Sequence, residues 1–262
     1  MGRTARINLA LAAVVAALAW IVYREVREEI DAREPPLAAL DPASIDRVAV
    51  RCISCVTRVF ARRNDRWRML EPYALDADDG AVARLIAIGS APVRTRRPAH
   101  EFEPHRIGLE PPQTTLELGA LTLEIGLTDA LRGDRYVRVG DIIAMVPDRF
   151  SQLLMATPES ELDRRLLPRD VTVHAVRIDG VNRPDVLAAW NHAVALRVAT
   201  ATPEADAAAT IRVDLDLANG EDITFRLRRV VDGYIALREQ PPLAYVLDEA
   251  RMQALTAAAS VD

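Results

Sequence analysis

Arg135 to Leu154 reads RYVRVGDIIAMVPDRFSQLL, and Gly233 to Leu255 reads GYIALREQPPLAYVLDEARMQAL. Each stretch passes from one strand-like run through a turn into a second, then into a helix with an acidic start. Set side by side, they point to an internal duplication of a β-rich unit closed by a helix. The expected fold class is therefore α+β, with two similar lobes of antiparallel hairpins and closing helices. Leu166-Leu167-Pro168 marks the boundary, giving a first lobe at 41–167 and a second, diverged one at 168–262.

Working outward, Ile45 to Arg51 alternates apolar and polar residues as a half-buried strand should. Cys55 to Arg62 begins a second strand, and the turn Asn64-Asp65 leads to Trp67-Arg68-Met69-Leu70. Asp78-Asp79-Gly80 offers an N-cap for a helix from Ala81 to about Gly89, with Val82, Leu85 and Ile86 on one face. A strand is expected around Val93 to Thr95. Two hairpins follow, over 115–125 around Gly119-Ala120 and over 135–146 around Gly140-Asp141, and then a helix from Asp148 to Met155. In the second half a strand is expected over 171–178 and a helix over 184–194. Asn219-Gly220, a strong short hairpin signal, sits between the runs 210–217 and 223–227. The runs 234–237 and 243–247 precede a last helix from Asp248 to Ala258.

The N-terminus carries a separate message. Ile7 to Tyr23 (INLALAAVVAALAWIVY) has no charge and one polar side chain, Asn8, with Arg3 and Arg6 before it and Arg24 after. As a helix it is about 25 Å long, slightly under a hydrocarbon core of roughly 30 Å. Trp20 and Tyr23 suit the interface, and Arg24 can reach back to it. The expectation is a transmembrane anchor over 1–24 and a charged helical stalk over 25–40 that breaks at Pro35-Pro36. A signal peptide cleaved after Ala17-Leu18-Ala19 stays open as a second reading, and a buried helix as a third. Arginines flank both ends, so charge alone does not orient the span. The favoured arrangement is a single-pass protein of the inner (cytoplasmic) membrane with its bulk in the periplasm.

Composition narrows the partners. The 262 residues are half apolar and carry a net charge of −5. All 33 basic residues are arginine, which fits a GC-rich coding sequence. No basic block is present, so nucleic acid is not an expected partner.

Chemistry is sparse. Cys52-Ile53-Ser54-Cys55 lies between strand-like runs rather than at a helix start, which removes the usual context of a redox CxxC. Val56 stands where a c-type haem site needs His, and two cysteines cannot make a four-Cys zinc site. If Ile53-Ser54 is a two-residue turn, the cysteines face each other within disulfide reach. A structural disulfide is favoured, with buried free thiols and a redox or metal role open as alternatives; a disulfide would need an oxidising compartment. His100 and His105 share a loop with Glu101 and Glu103, but the spacing matches no familiar metal motif. His174 and His192 read as surface positions. Asp76, Asp78 and Asp79 crowd before a helix, as capping residues do. There is no GxSxG elbow and no phosphate loop. No catalytic, cofactor-binding or metal-binding set is expected, so the chain is read as a non-enzyme. Trp67 and Trp190 are expected as core or junction aromatics, with a ligand-stacking platform as the alternative.

Several motifs in order resemble one family. Trp67-Arg68-Met69-Leu70-Glu71-Pro72 and its following helix come first, then Ile107-Gly108-Leu109-Glu110-Pro111-Pro112. Leu123-Glu124-Ile125-Gly126, Tyr136-Val137-Arg138 and the strand Ile142 to Val146 complete the series. This order resembles the domain of unknown function 4340 family over roughly 41–167. The resemblance implies an exported protein on one N-terminal helix, encoded beside ABC-transporter components of the gliding-motility type, with no established catalytic residues to carry over. The expected role is an accessory or scaffold subunit of a transporter or envelope complex. The alternative is an exported binding module that holds a small molecule or polymer in a groove between its lobes, near Trp67 or Trp190.

Overall fold

The computed structural model describes residues 15, 18–20, 35–201 and 211–256. The anchor expected over 1–24, apart from four positions, and the stalk up to residue 34 lie outside the described residues. Among the described residues no helix is long and apolar enough to cross a membrane.

The described residues of the first half of the chain supply nine strands: β1 (Arg47–Cys52), β2 (Arg58–Arg63), β3 (Arg66–Glu71), β4 (Leu75–Asp76), β5 (Thr95–Pro98), β6 (Thr114–Leu118), β7 (Leu121–Thr128), β8 (Asp134–Val139) and β9 (Ile142–Pro147). They form one antiparallel sheet in the order β4-β3-β2-β1-β6-β7-β8-β9-β5. The described residues of the second half supply seven: β10 (Val173–Ile178), β11 (Val181–Asn182), β12 (Arg197–Thr200), β13 (Ile211–Leu217), β14 (Asp222–Val230), β15 (Gly233–Arg238) and β16 (Leu243–Leu247). Their antiparallel order is β11-β10-β13-β14-β15-β16-β12. In each sheet one strand (β1 or β10) lies beside the first member of a four-strand meander. A strand that precedes the meander in sequence (β5 or β12) pairs with its last member. The architecture is thus two antiparallel sheets with few helices, a β-rich α+β fold.

Alternation of apolar residues places the core. In β6, Thr114, Leu116 and Leu118 point inward, and in β13 Val213, Leu215 and Leu217 do. Such period-two patterns belong to sheets with one covered face. The outer face of the second sheet is polar: Arg177 on β10 makes two 2.6 Å bonds to Asp216 on β13, and Arg226 on β14 pairs with Glu239 at 3.0 Å. Helix α1 (Asp79–Ala87) is started by Asp78, whose carboxylate accepts from the Ala81 amide at 2.7 Å, and it buries Val82, Leu85 and Ile86. Buried side chains form one continuous cluster from Phe60 and Leu85 in the first half to Trp190 and Phe225 in the second.

Three local expectations change. The helix expected from Asp148 shrinks to α2 (Ser151–Leu154). Asp148 caps it through the Ser151 amide at 3.1 Å, and the buried Arg58 guanidinium takes the carbonyls of Leu153, Leu154 and Ala156, which ends it. The helix expected over 184–194 is a 3₁₀ turn (Pro184–Val186) followed by α3 (Leu187–Asn191). It stops there because Ala193 and Ala195 are drawn into extended pairing by the amide of Leu166 (3.1 Å) and the carbonyl of Arg164 (2.8 Å). Finally, β2 begins only at Arg58, which leaves five residues, 53–57, between β1 and β2 rather than a two-residue turn. Cys52 therefore opposes Thr114 on β6, not Cys55. The structure joins the two cysteines across this loop, with Cα atoms 5.4 Å apart. The last helix, α4, spans Glu249–Thr256, and the two further residues expected in it lie outside the described ones.

Candidate functional site

The candidate site is the seam between the two sheets, and an extended strap fills it. Residues 158–169 leave a 3₁₀ turn (Pro158–Glu161) and run between the halves. On one side the Asp78 amide donates to the Glu161 carbonyl at 2.8 Å, Ala77 bridges Leu162, and the Asp163 amide donates to the Asp76 carbonyl at 2.9 Å. On the other side Arg165 bridges Val194, and the Leu166 amide and Arg164 carbonyl bond Ala193 and Ala195. Extended backbone left unpaired in a seam would be costly, so the strap satisfies its polar groups on both flanks.

The aspartates before α1 work inside this seam. Asp79 accepts from the Trp67 amide at 3.0 Å and from Arg169 at 2.9 Å, and Arg169 also pairs with Asp163. Burial alone would raise the Asp79 carboxyl, but the Trp67 amide and Arg169 together hold it below its usual range. Asp76 accepts from the Arg169 amide at 3.1 Å and faces Arg68 at 3.7 Å. Of the three aspartates expected as caps only Asp78 is one; Asp76 and Asp79 instead cross-link the strap to the first sheet. Between Arg68, Asp76, Arg165, Arg238 and Tyr245 lies a cavity of about 20 Å³, large enough for water and too small for a metabolite.

Neither tryptophan offers a stacking surface. Trp190 is fully buried, donates to the Leu255 carbonyl at 3.1 Å, and packs on Phe225 with ring centroids 5.4 Å apart. Trp67 is buried beneath the Arg62 guanidinium, which lies 4.9 Å from its ring centre. The cleft beside it, about 530 Å³, is lined by an edge of Trp67 together with Arg63, Arg66, Arg68, Asp76 and Arg169, a surface of mixed charged and apolar character.

The histidines are dispersed. His100 and His105 are exposed in two short 3₁₀ turns, and His105 lies 3.8 Å from Glu103. His174 faces out from β10 and His192 caps α3. Among the described residues no group of three or more His, Cys, Asp or Glu side chains could hold a metal ion.

One pair escaped the sequence reading. Arg58 and Glu161 are both shut off from solvent and meet at 2.8 Å. Burial pushes the Glu161 carboxyl up to about 7 against the pull of Arg58, and it lowers Arg58. A signal existed: if Phe60 points inward on a strand, Arg58 two residues earlier does as well. Nearby, Tyr73 donates to the buried Glu159 at 2.5 Å, and burial with that bond raises its phenol to about 12. The motif residues converge elsewhere. Gly126 lies against the Gly108-Leu109 turn so tightly that a Cβ there would be 2.3 Å from the Ile107 carbonyl oxygen.

Compared with known proteins, the chain matches no family model, no curated protein and no solved structure.

Proposed function

We propose that the protein is a non-catalytic, single-pass membrane protein whose folded part lies in the periplasm, where it acts as a scaffold or accessory subunit of a transporter or envelope complex. The observation that carries this reading is the β12 edge of the second sheet. Among the described residues no strand pairs with the outer side of β12; the strap bonds Ala193 and Ala195 just before it, and the turn Pro158–Glu161 packs beside it without a main-chain bond. Unbonded edge groups of this kind accept an added strand from a partner through main-chain hydrogen bonds. The uncharged run 7–23 supports the tether. The ordered motifs between Trp67 and Val146 support a likeness to the domain of unknown function 4340 family, and with it an ABC-transporter component as the partner. The matching strand orders, in which β1, β5 and β6–β9 parallel β10, β12 and β13–β16, support an ancient duplication. A groove-binding module has less behind it, because the strap occupies the seam.

Cross-linking in native membranes, followed by purification and mass spectrometry, tests the reading. A permease or other transporter component recovered at near-stoichiometric yield supports it. Recovery of the chain alone overturns it.

A further inference from the structure

We propose that one end of the first sheet, the end that carries the Cys52–Cys55 loop, rests on the lipid surface of the membrane in which residues 7–23 are anchored. The proposal builds on the tether reading above.

The register fixes which loops share that end. Cys52 opposes Thr114, Thr114 opposes Ile125, Thr128 opposes Arg135, Asp134 opposes Pro147, and Thr95 opposes Met145. The 53–57 loop, the 129–133 loop and the start of β5 therefore all lie at one end of the sheet. Met155 belongs there too, because the carbonyls of Leu154 and Ala156 on either side of it bond Arg58, the first residue of β2.

Exposed apolar side chains gather at this end. Of the six large hydrophobic residues exposed between 35 and 167, five are here: Ile53, Val56, Leu127, Leu131 and Met155. Leu131 is 92% exposed and Ile53 63%. The sixth, Ile142, is at the opposite end, where the turns are Asn64-Asp65, Gly119-Ala120 and Gly140-Asp141. Scattered exposed hydrophobics are ordinary; a one-sided concentration at loop tips is not. Arg132 and Arg149 stand exposed among these loops, placed to meet lipid phosphates while the apolar tips enter the interface.

The chain enters the fold at the same end. The Val93 amide donates to the Pro35 carbonyl at 3.0 Å, and Pro36 bridges Pro92. The next residue, Arg94, lies 3.3 Å from Asp134, three residues beyond Leu131. Only residues 24–34 separate this entry point from the apolar run. Eleven residues reach about 16 Å as a helix and no more than about 40 Å fully extended, so the tips are held within reach of the bilayer. The disulfide confines Ile53 and Ser54 to a small ring, which keeps the Ile53 side chain from folding back onto the sheet edge.

The test uses the full chain in phosphatidylethanolamine–phosphatidylglycerol vesicles doped with a phospholipid that carries a photoreactive diazirine in its acyl chain. Lipid adducts are mapped by mass spectrometry after irradiation. Expected are adducts on 7–23 and on the peptides holding Ile53 and Leu131, with the Ile142 peptide as the unlabelled control. The double variant Ile53→Asp/Leu131→Asp, altered only at exposed positions, should lose tip labelling about tenfold while keeping that on 7–23. Labelling of 7–23 without the tips overturns the proposal, leaves the tether standing and gives this end to a protein partner. Labelling of neither overturns both. Labelling of the tips without 7–23 supports surface contact and overturns the tether.

Discussion

The guanidinium of Arg58 and the carboxylate of Glu161 meet at 2.8 Å in the interior, 103 residues apart in sequence. Arg58 begins β2 and Glu161 opens the strap, so the pair ties the first sheet to the segment that crosses into the second. Its other bonds go to the carbonyls at the end of α2, which makes Arg58 a cap, a cross-link and a counter-ion together.

Replacing Arg58 should therefore cost more than a surface arginine would. Arg58→Met fills similar space but leaves Glu161 without its partner and three carbonyls without a donor. We expect a loss of about 3–5 kcal/mol, the range for breaking a buried pair from one side. Denaturant unfolding followed by tryptophan fluorescence measures it; a loss under about 1 kcal/mol would place the pair with ordinary surface ion pairs instead.

The same pair sets a pH dependence. Glu161 titrates at 4.5 in its ordinary state and at about 7 in the fold, so between these values the folded protein binds the proton more tightly than the unfolded one. This group's contribution is thus fully present below pH 4.5 and declines as pH rises to about 7. Subtracting the stability profile of Glu161→Gln from that of the parent should isolate a falling slope in this window. A flat difference curve would contradict the buried carboxylic acid.

Gly126 should not tolerate a methyl group. Its would-be Cβ meets a backbone oxygen, which cannot rotate away as a flexible side chain could. Gly126→Ala is expected to lose about 1–3 kcal/mol, the usual result of overpacking. Thermal unfolding of the variant checks this, and an unchanged midpoint would mean that the Ile107–Leu109 turn moves freely away from β7.

The disulfide should brace a loop rather than hold the fold. A ring closed by two cysteines three positions apart restricts few unfolded conformations, so chain-entropy reasoning allows only about 2 kcal/mol. Cys52→Ser/Cys55→Ser should remain folded with a modestly lower melting temperature. In intact cells the parent's thiols should resist maleimide until reductant is added, if the folded part is exported; labelling without reductant would speak for a reducing compartment.

What the sequence disclosed was local. The Asp78 cap, the hairpins around Gly119 and Gly140, and the Asn219-Gly220 turn were legible, because each depends on residues within a few positions of one another. Gly220 adopts φ +85, and the Asn219 side chain accepts from the Glu221 amide at 3.1 Å, within a four-residue loop, 218–221, rather than a two-residue one. Long-range closure was not legible. Nothing near Thr95–Pro98 or Arg197–Thr200 announces pairing with a hairpin strand 43 to 50 residues later. The helices expected over 148–155 and 184–194 were shortened by partners distant in sequence, Arg58 and the strap. The seam shares this limit: of its aspartates only Asp78 is the cap that the sequence suggested, and Arg169, which ties Asp79 to Asp163, carries no local signal of that task.

The strap has a mechanical consequence. A two-lobed protein that closes over cargo needs a hinge, a short piece of chain able to absorb large backbone rotations while the halves part. Here the connecting chain is hydrogen-bonded to both halves along residues 161–166, and the buried cluster runs across it without a break. Opening the halves would mean unzipping those bonds and exposing core side chains, a sub-global unfolding rather than a clamshell stroke. A load applied to one sheet is therefore passed to the other through a stiff body rather than taken up at a joint.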